Sequence, residues 1–181
     1  IKQHPRFAIA HNGNIANTQE LTDKYGLILQ STSDLDVISQ VLIKEWKNIP
    51  SVDAFEKALQ TIFNNFIGAY AVIGALSNGD LFAFRDPYGI RPLFIAKTQD
   101  TVALASETSA FALLGKCEIE EVPHSSWVMV QKKNNKLEII KGRLKSELNP
   151  ENLKRHCMFE LVYFSSPHSE YLNTSTDKEK D

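Results

Sequence analysis

The sequence predicts an α+β domain in which two antiparallel sheets stack between helical layers. Helix-period apolar stripes cluster before Gly68. After Gly68 the period changes to short extended runs joined by local turns, with Asn78-Gly79 a strong hairpin signal. Several of those runs are apolar at consecutive positions, as in strands covered on both faces. Grouped helices followed by hairpins fit α+β rather than alternating βαβ units.

The elements follow in order. Arg6–Ala10 reads as a short strand that ends in a sharp turn at His11-Asn12-Gly13-Asn14, where Gly and Asn tolerate positive φ. Asn17 and Glu20 fit a capping box opening a first helix, and Gly26 sits where a left-handed C-cap belongs. Leu27-Ile28-Leu29 reads as brief and extended. Ser33 caps a second helix whose stripe is Leu35, Ile38, Val41, Leu42 and Trp46. Pro50-Ser51 opens a third, with Phe55, Leu59, Ile62, Phe63 and Phe66 on one face and a stop at Gly68. Strands are expected at 69–75, 81–85, 92–96 and 102–105, with a turn at Asp86-Pro87-Tyr88-Gly89. A short helix spans 107–114 up to Gly115. A hairpin joins 127–130 to 137–140. The apolar run 158–164 reads as a last strand, and 174–181 as a polar tail.

The chain has 181 residues, with 20 Lys and Arg against 22 Asp and Glu, a net charge of −2. That balance lacks the basic stripe of a nucleic-acid binder. No apolar run reaches the ~18 residues of a membrane span. Cys117 and Cys157 form no CxxC or His/Cys metal pattern, so a disulfide scaffold is excluded and a cytoplasmic location is expected. The length suits one domain of ordinary size.

Three segments could carry chemistry. At His11-Asn12-Gly13-Asn14, backbone N–H groups and short amides could stabilise an oxyanion, or the segment could be a turn only. In Thr32-Ser33-Asp34-Leu35-Asp36, a carboxylate at a helix start could hold an ammonium group, or could merely cap. Asp34 qualifies as a ligand only if it points away from its own helix. In the run Arg85–Leu93, two arginines and an aspartate flank a turn, and it reads first as scaffolding. No phosphate-binding Gly-rich loop is present.

Taken in order, AHNGNIAN (Ala10 to Asn17), TSDLDVI (Thr32 to Ile38), the stretch Gly68 to Leu93 and ASETSAF (Ala105 to Phe111) resemble the glutaminase domain of glutamine phosphoribosylpyrophosphate amidotransferases. The stretch His156 to Ser169 resembles that family's link into a phosphoribosyltransferase domain. Glucosamine-phosphate synthase and asparagine synthetase share the glutaminase fold but are less similar over the Arg85–Leu93 run. The resemblance implies an N-terminal-nucleophile hydrolase fold, four layers in the order αββα, here without its first strands. It implies residues 1–155 as an N-terminally incomplete glutaminase domain and 156–181 as the start of the link.

It also implies the chemistry. An N-terminal cysteine, with its own α-amine as base, attacks the glutamine carboxamide. Ammonia then converts phosphoribosyl pyrophosphate to phosphoribosylamine, the first step of purine synthesis. The Asn12 side-chain amide and the Gly13 N–H match the oxyanion donors, and Asp34 matches the carboxylate that holds the substrate α-ammonium. The nucleophilic cysteine and an upstream arginine of the family are absent from the 181 residues, so the chain alone is expected to be inactive. The rival reading is a non-catalytic assembly module or degenerate homologue. Cys157 matches an iron–sulfur ligand position of some members, although a [4Fe–4S] cluster needs four thiolates. Mg²⁺ is expected only with the phosphoribosyltransferase domain, and the whole protein is expected to be a homo-oligomer. Ser166-Pro167-His168-Ser169 departs from the family's Arg-Pro-Asp-Ser.

Overall fold

The structure, a computed structural model, describes residues 6–47, 51–134, 136–155 and 157–160. Three helices come early: α1 (Thr18–Tyr25), α2 (Asp34–Glu45) and α3 (Val52–Asn65). Serines start the two longer ones. Ser33 Oγ accepts from Leu35 N at 3.2 Å, and Ser51 Oγ from Ala54 N at 3.4 Å. Gly26 ends α1 with φ 55°, as its position predicts. The capping box does not form in the expected way. Asn17 Nδ2 meets Glu20 Oε2 at 3.2 Å, yet no helix N–H is capped by Asn17. Its amide instead donates to Asn65 O at 2.9 Å and accepts from Ile67 N at 3.0 Å, fastening α1 to the end of α3.

The described residues form eight strands: β1 (Phe7–Ile15), β2 (Gly68–Leu76), β3 (Leu81–Arg85), β4 (Phe94–Lys97), β5 (Val102–Ala105), β6 (Glu118–Glu121), β7 (Ser126–Lys133) and β8 (Lys136–Arg143). One antiparallel sheet has the order β1-β2-β3-β7-β8 and the other β5-β4-β6. Period-2 alternation sorts the larger sheet's side chains to two faces. Tyr70, Val72, Phe82, Phe84, Trp127 and Met129 pack under α2 and α3 with Trp46, Phe55 and Phe63. Ala71, Ala83, Val128 and Val130 point the other way, against Leu93, Ile95 and Val122 of the smaller sheet and its flanks. Beyond that sheet, Phe94 and Ala96 meet Phe111 of a 3₁₀ helix, Thr108–Leu114. The four layers expected from the sequence are therefore present, with a 3₁₀ helix serving as the outer layer on one side.

Three expectations are corrected. β1 does not turn at His11 but stays extended to Ile15, in register with β2 throughout. β6 was not anticipated, because its sequence Glu-Ile-Glu-Glu offers only one apolar position. Residues 158–160 begin a helical turn rather than a strand, with Met158 and Phe159 exposed. The rest of that expected strand, the polar tail 174–181 and Pro50 lie outside the described residues.

Two glycines let aromatic rings lie flat on the helix face of the sheet. Gly74 pairs with Phe82, and a Cβ on Gly74 would stand 2.2 Å from the Phe82 ring. Phe82 in turn stacks edge-on to Phe7, Trp46 and Phe55. Gly142 gives Trp127 the same room. Gly74→Ala is expected to destabilise the fold by about 1–3 kcal/mol through displacement of that ring. Urea denaturation checks this, with a lowered midpoint at unchanged slope as the expected result.

Candidate active site

The site begins with a ladder whose parity can be read from its two ends. Ser77 N donates to Arg6 O at 2.9 Å, and Ala16 N donates to Ile67 O at 2.7 Å. The pairing between them is continuous, Phe7↔Leu76 through Ile15↔Gly68. In an antiparallel pair, hydrogen-bonded and non-hydrogen-bonded residues alternate. Even-numbered residues of β1 therefore bond to β2, and His11, Gly13 and Ile15 turn their N–H groups to the opposite side, where no strand among the described residues pairs with β1. Ile15 N finds a partner there, Asp34 Oδ2 at 2.9 Å. Gly13 N–H projects from the same edge two residues away, about 7 Å along the strand.

Asp34 stands at the start of α2, but Ser33 does the capping. The Asp34 carboxylate points away from its own helix, to Ile15 N and to His11, whose Nδ1 is 3.5 Å from Asp34 Oδ1. This meets the condition set for Asp34 by the sequence. Gly13 has φ 143°, and a Cβ there would stand 1.9 Å from Ala69 O, so this close approach of β1 and β2 admits only glycine. Asn12 projects to the other face of the sheet, where its amide has no hydrogen-bond partner among the described residues. Beside it β1 and β2 form an apolar groove of about 350 Å³ lined by Ala8, Ala10, Ile73 and Leu104.

His11 was not singled out by the sequence reading. Its side chain is 5% exposed, and Nε2 is buried without a partner among the described residues. Burial holds its pKa below the usual 6.5; Asp34 pulls it upward and the charge of Arg91 pushes it down. The ring is neutral at neutral pH.

The Arg85–Leu93 run is scaffolding, as its composition suggested. Asp86 is fully buried and accepts from the N–H groups of Tyr70, Tyr88, Ile90 and Arg91. Arg85, also buried, donates to Arg91 O, Val122 O, Gly89 O and Glu121. Asp86 N further donates to Tyr70 O at 2.8 Å, and Tyr70 lies opposite Gly13. The turn thus fixes the strand that backs the candidate site.

Cys117 and Cys157 are both free and half-buried. Among the described residues no group of three or more His, Cys, Asp or Glu side chains could hold a metal. A [4Fe–4S] cluster requires four thiolates, and the 181 residues contain two cysteines. No helix among the described residues is long and apolar enough to cross a membrane.

Comparison with known proteins agrees with this architecture. A family described as the glutamine amidotransferase domain matches residues 1–113. The amidophosphoribosyltransferase of Methanothermobacter thermautotrophicus is 34% identical over 171 residues, covering 92% of this chain and 33% of the relative. That of Methanocaldococcus jannaschii is 32% identical over 177 residues, covering 90% of this chain and 36% of the relative. A solved structure of glutamine phosphoribosylpyrophosphate amidotransferase from B. subtilis, complexed with ADP and GMP, superimposes with a TM-score of 0.73 at 27% identity. It covers 94% of this chain and 35% of that one. The chain spans about a third of the length of these relatives. It belongs to the glutamine amidotransferase domain family.

The His11 shift has a consequence for stability. Its folded pKa lies below the unfolded value, so the unfolded chain takes up a proton that the fold excludes. Stability is full above pH 6.5 and is lost as pH falls from 6.5 through the folded value. His11→Gln is expected to lose less stability than the parent between about pH 7 and about pH 5. Urea midpoints at both pH values check it. The pKa of His124, also lowered by burial, acts equally in both proteins.

Proposed function

We propose that this chain is the larger part of a glutaminase domain in an amidophosphoribosyltransferase, with residues 1–155 forming that domain and 156–181 beginning the link to a phosphoribosyltransferase domain. The observation that carries the reading is the side of β1 that faces away from β2. Gly13 N–H and the Asp34 carboxylate lie along it at a spacing that a short amino-acid amide can bridge. Family membership supports the same substrate, glutamine.

In this reading Asp34 accepts the α-ammonium group, while Asn12 and Gly13 donate to the oxygen of the carboxamide. That oxygen gains negative charge when the carbon is attacked, and preformed donors stabilise it without reorganisation. The nucleophile is the sulfur of an N-terminal cysteine whose α-amine takes the thiol proton. Cys117 and Cys157 are internal residues, so neither carries a free α-amine. Attack forms a thioester and releases ammonia; water then releases glutamate. The ammonia attacks the anomeric carbon of phosphoribosyl pyrophosphate in the second domain, displaces pyrophosphate and gives phosphoribosylamine.

In the full-length protein, Asn12→Ala is expected to lower the kcat of glutamate release about 10²–10³-fold with an unchanged melting temperature. Asp34→Asn is expected to act mainly on KM for glutamine, by about ten- to a hundredfold, since it removes a charged partner of the ammonium. Steady-state assays of both variants check the assignments. Normal turnover in the first, or a normal KM in the second, would contradict them.

A further inference from the structure

The connection between α1 and α2 is fastened to α2 by three side chains spaced four residues apart, Asp36, Gln40 and Lys44, which share one face of the helix. Lys44 Nζ donates to Tyr25 O and, at 3.4 Å, to Gly26 O. Gln40 takes both backbone groups of Ile28: Oε1 accepts from its N–H at 3.2 Å, and Nε2 donates to its carbonyl at 2.8 Å. Asp36 Oδ2 accepts from Gln30 N at 2.5 Å and from Ser31 N at 3.1 Å, while Oδ1 accepts from Gln40 Nε2 at 2.9 Å. These donors, Gln40 first and Gln30 next, hold the Asp36 carboxyl below the usual carboxylate range.

The last part of this connection closes around Asp34. Ser31 Oγ accepts from Ser33 N at 3.2 Å, Ser33 Oγ accepts from Leu35 N at 3.2 Å, and Asp36 N donates to Ser33 O at 3.1 Å. Residues 30–36 thus form a ring of short-range hydrogen bonds that encloses the Asp34 backbone. Ser31, Ser33 and Asp36 turn their oxygens onto N–H groups of the ring itself. An aspartate at a helix start competes for such groups; with these taken, the Asp34 carboxylate turns outward, to Ile15 N at 2.9 Å.

We propose that Asp36 is a positioning residue for Asp34: by closing the ring 30–36 it fixes the direction in which the Asp34 carboxylate leaves α2. Its consequence for the reaction rests on the reading of Asp34 as the ammonium site. Without Asp36 the N–H groups of Gln30 and Ser31 lose their acceptor, and Ser31 is no longer held where its Oγ meets Ser33 N. The Asp34 backbone then samples several orientations, and the bond to Ile15 N forms in only some of them. Lys44 holds Tyr25 and Gly26, outside the ring, so its loss loosens the connection without turning Asp34.

Hydrogen exchange at the Ile15 amide reads the Asp34 bond in the 181-residue chain with no substrate present. Asp36→Ala is expected to speed that exchange about tenfold while the core of α3 keeps its protection. Asp36→Asn, which retains an oxygen for the two N–H groups, is expected to stay near the parent, as is Lys44→Ala. An unchanged rate at Ile15 in folded Asp36→Ala, or an equal rise in Lys44→Ala, overturns the proposal. Should Asp36→Ala fail to fold, Ser31→Ala removes only the acceptor of Ser33 N; the ring requires faster Ile15 exchange there too, and an unchanged rate overturns it. In the full-length protein, Asp36→Ala is expected to raise KM for glutamine about tenfold and leave kcat unchanged. Faster Ile15 exchange with a normal KM would uphold the hold of Asp36 on Asp34 and count against the ammonium assignment instead.

Discussion

The carboxylate of Asp86 is fully buried and accepts backbone N–H groups from Tyr70, Tyr88, Ile90 and Arg91. Burial alone raises its pKa, and the surrounding N–H groups and Arg85 only partly offset this. A raised carboxylate pKa means that the ionised form weakens the fold slightly as pH climbs from the ordinary range through the folded value. What this arrangement secures is geometry. One side chain closes the turn after β3 and ties it to β2 at Tyr70, and Arg85 ties the same turn to Glu121 and Val122 at the end of β6. Both sheets are thus anchored to one short segment.

The site depends on that anchorage because it is built from backbone. The N–H groups of Gly13 and Ile15 point away from β2 only while β1 and β2 keep their register, since a slip of one residue would exchange inward and outward groups. Asp34 is placed by the same edge, through its bond to Ile15 N. Tyr70, held from the far side by Asp86, lies opposite Gly13 at the point where the two strands approach too closely for any Cβ. The chain of contacts Arg85–Asp86–Tyr70–Gly13 joins a conspicuous sequence motif to a less conspicuous one. Neither makes sense alone: the first looks like a turn and the second like a loop.

Local signals made most of the fold legible in the sequence. Ser33, Ser51 and Gly26 mark helix ends through side-chain oxygens and a left-handed residue, and Asn78-Gly79 marks the β2–β3 hairpin. The aromatic stripe of α3 follows from the helical period, and the consecutive apolar runs of β3 and β7 marked strands covered on both faces. The misreadings have physical causes. Gly13 suggested a turn because its freedom at positive φ is ordinarily spent in turns, whereas here it lets an extended strand pass close to Ala69. Asn17 suggested a capping box, but a longer-range demand from Asn65 and Ile67 took its amide. β6 presents glutamates at three of its four positions, and its pairing with β4 is a tertiary fact. For the site, the residue types at Asn12, Gly13 and Asp34 were legible. The edge shared by Gly13 and Asp34, and the buried His11 beside it, emerge only when β1 meets α2.

The central claim is that the Asp86 turn holds the β1–β2 ladder at its Gly13 end and thereby holds the site. Backbone amide hydrogen exchange in Asp86→Asn tests it most directly. The account predicts that Tyr70, Asn14 and Ile15 lose protection together, while Ala8 and Ala10 at the other end of β1, and the core of α3, keep theirs. Unchanged protection at Tyr70 and Ile15 in a folded Asp86→Asn protein would contradict it.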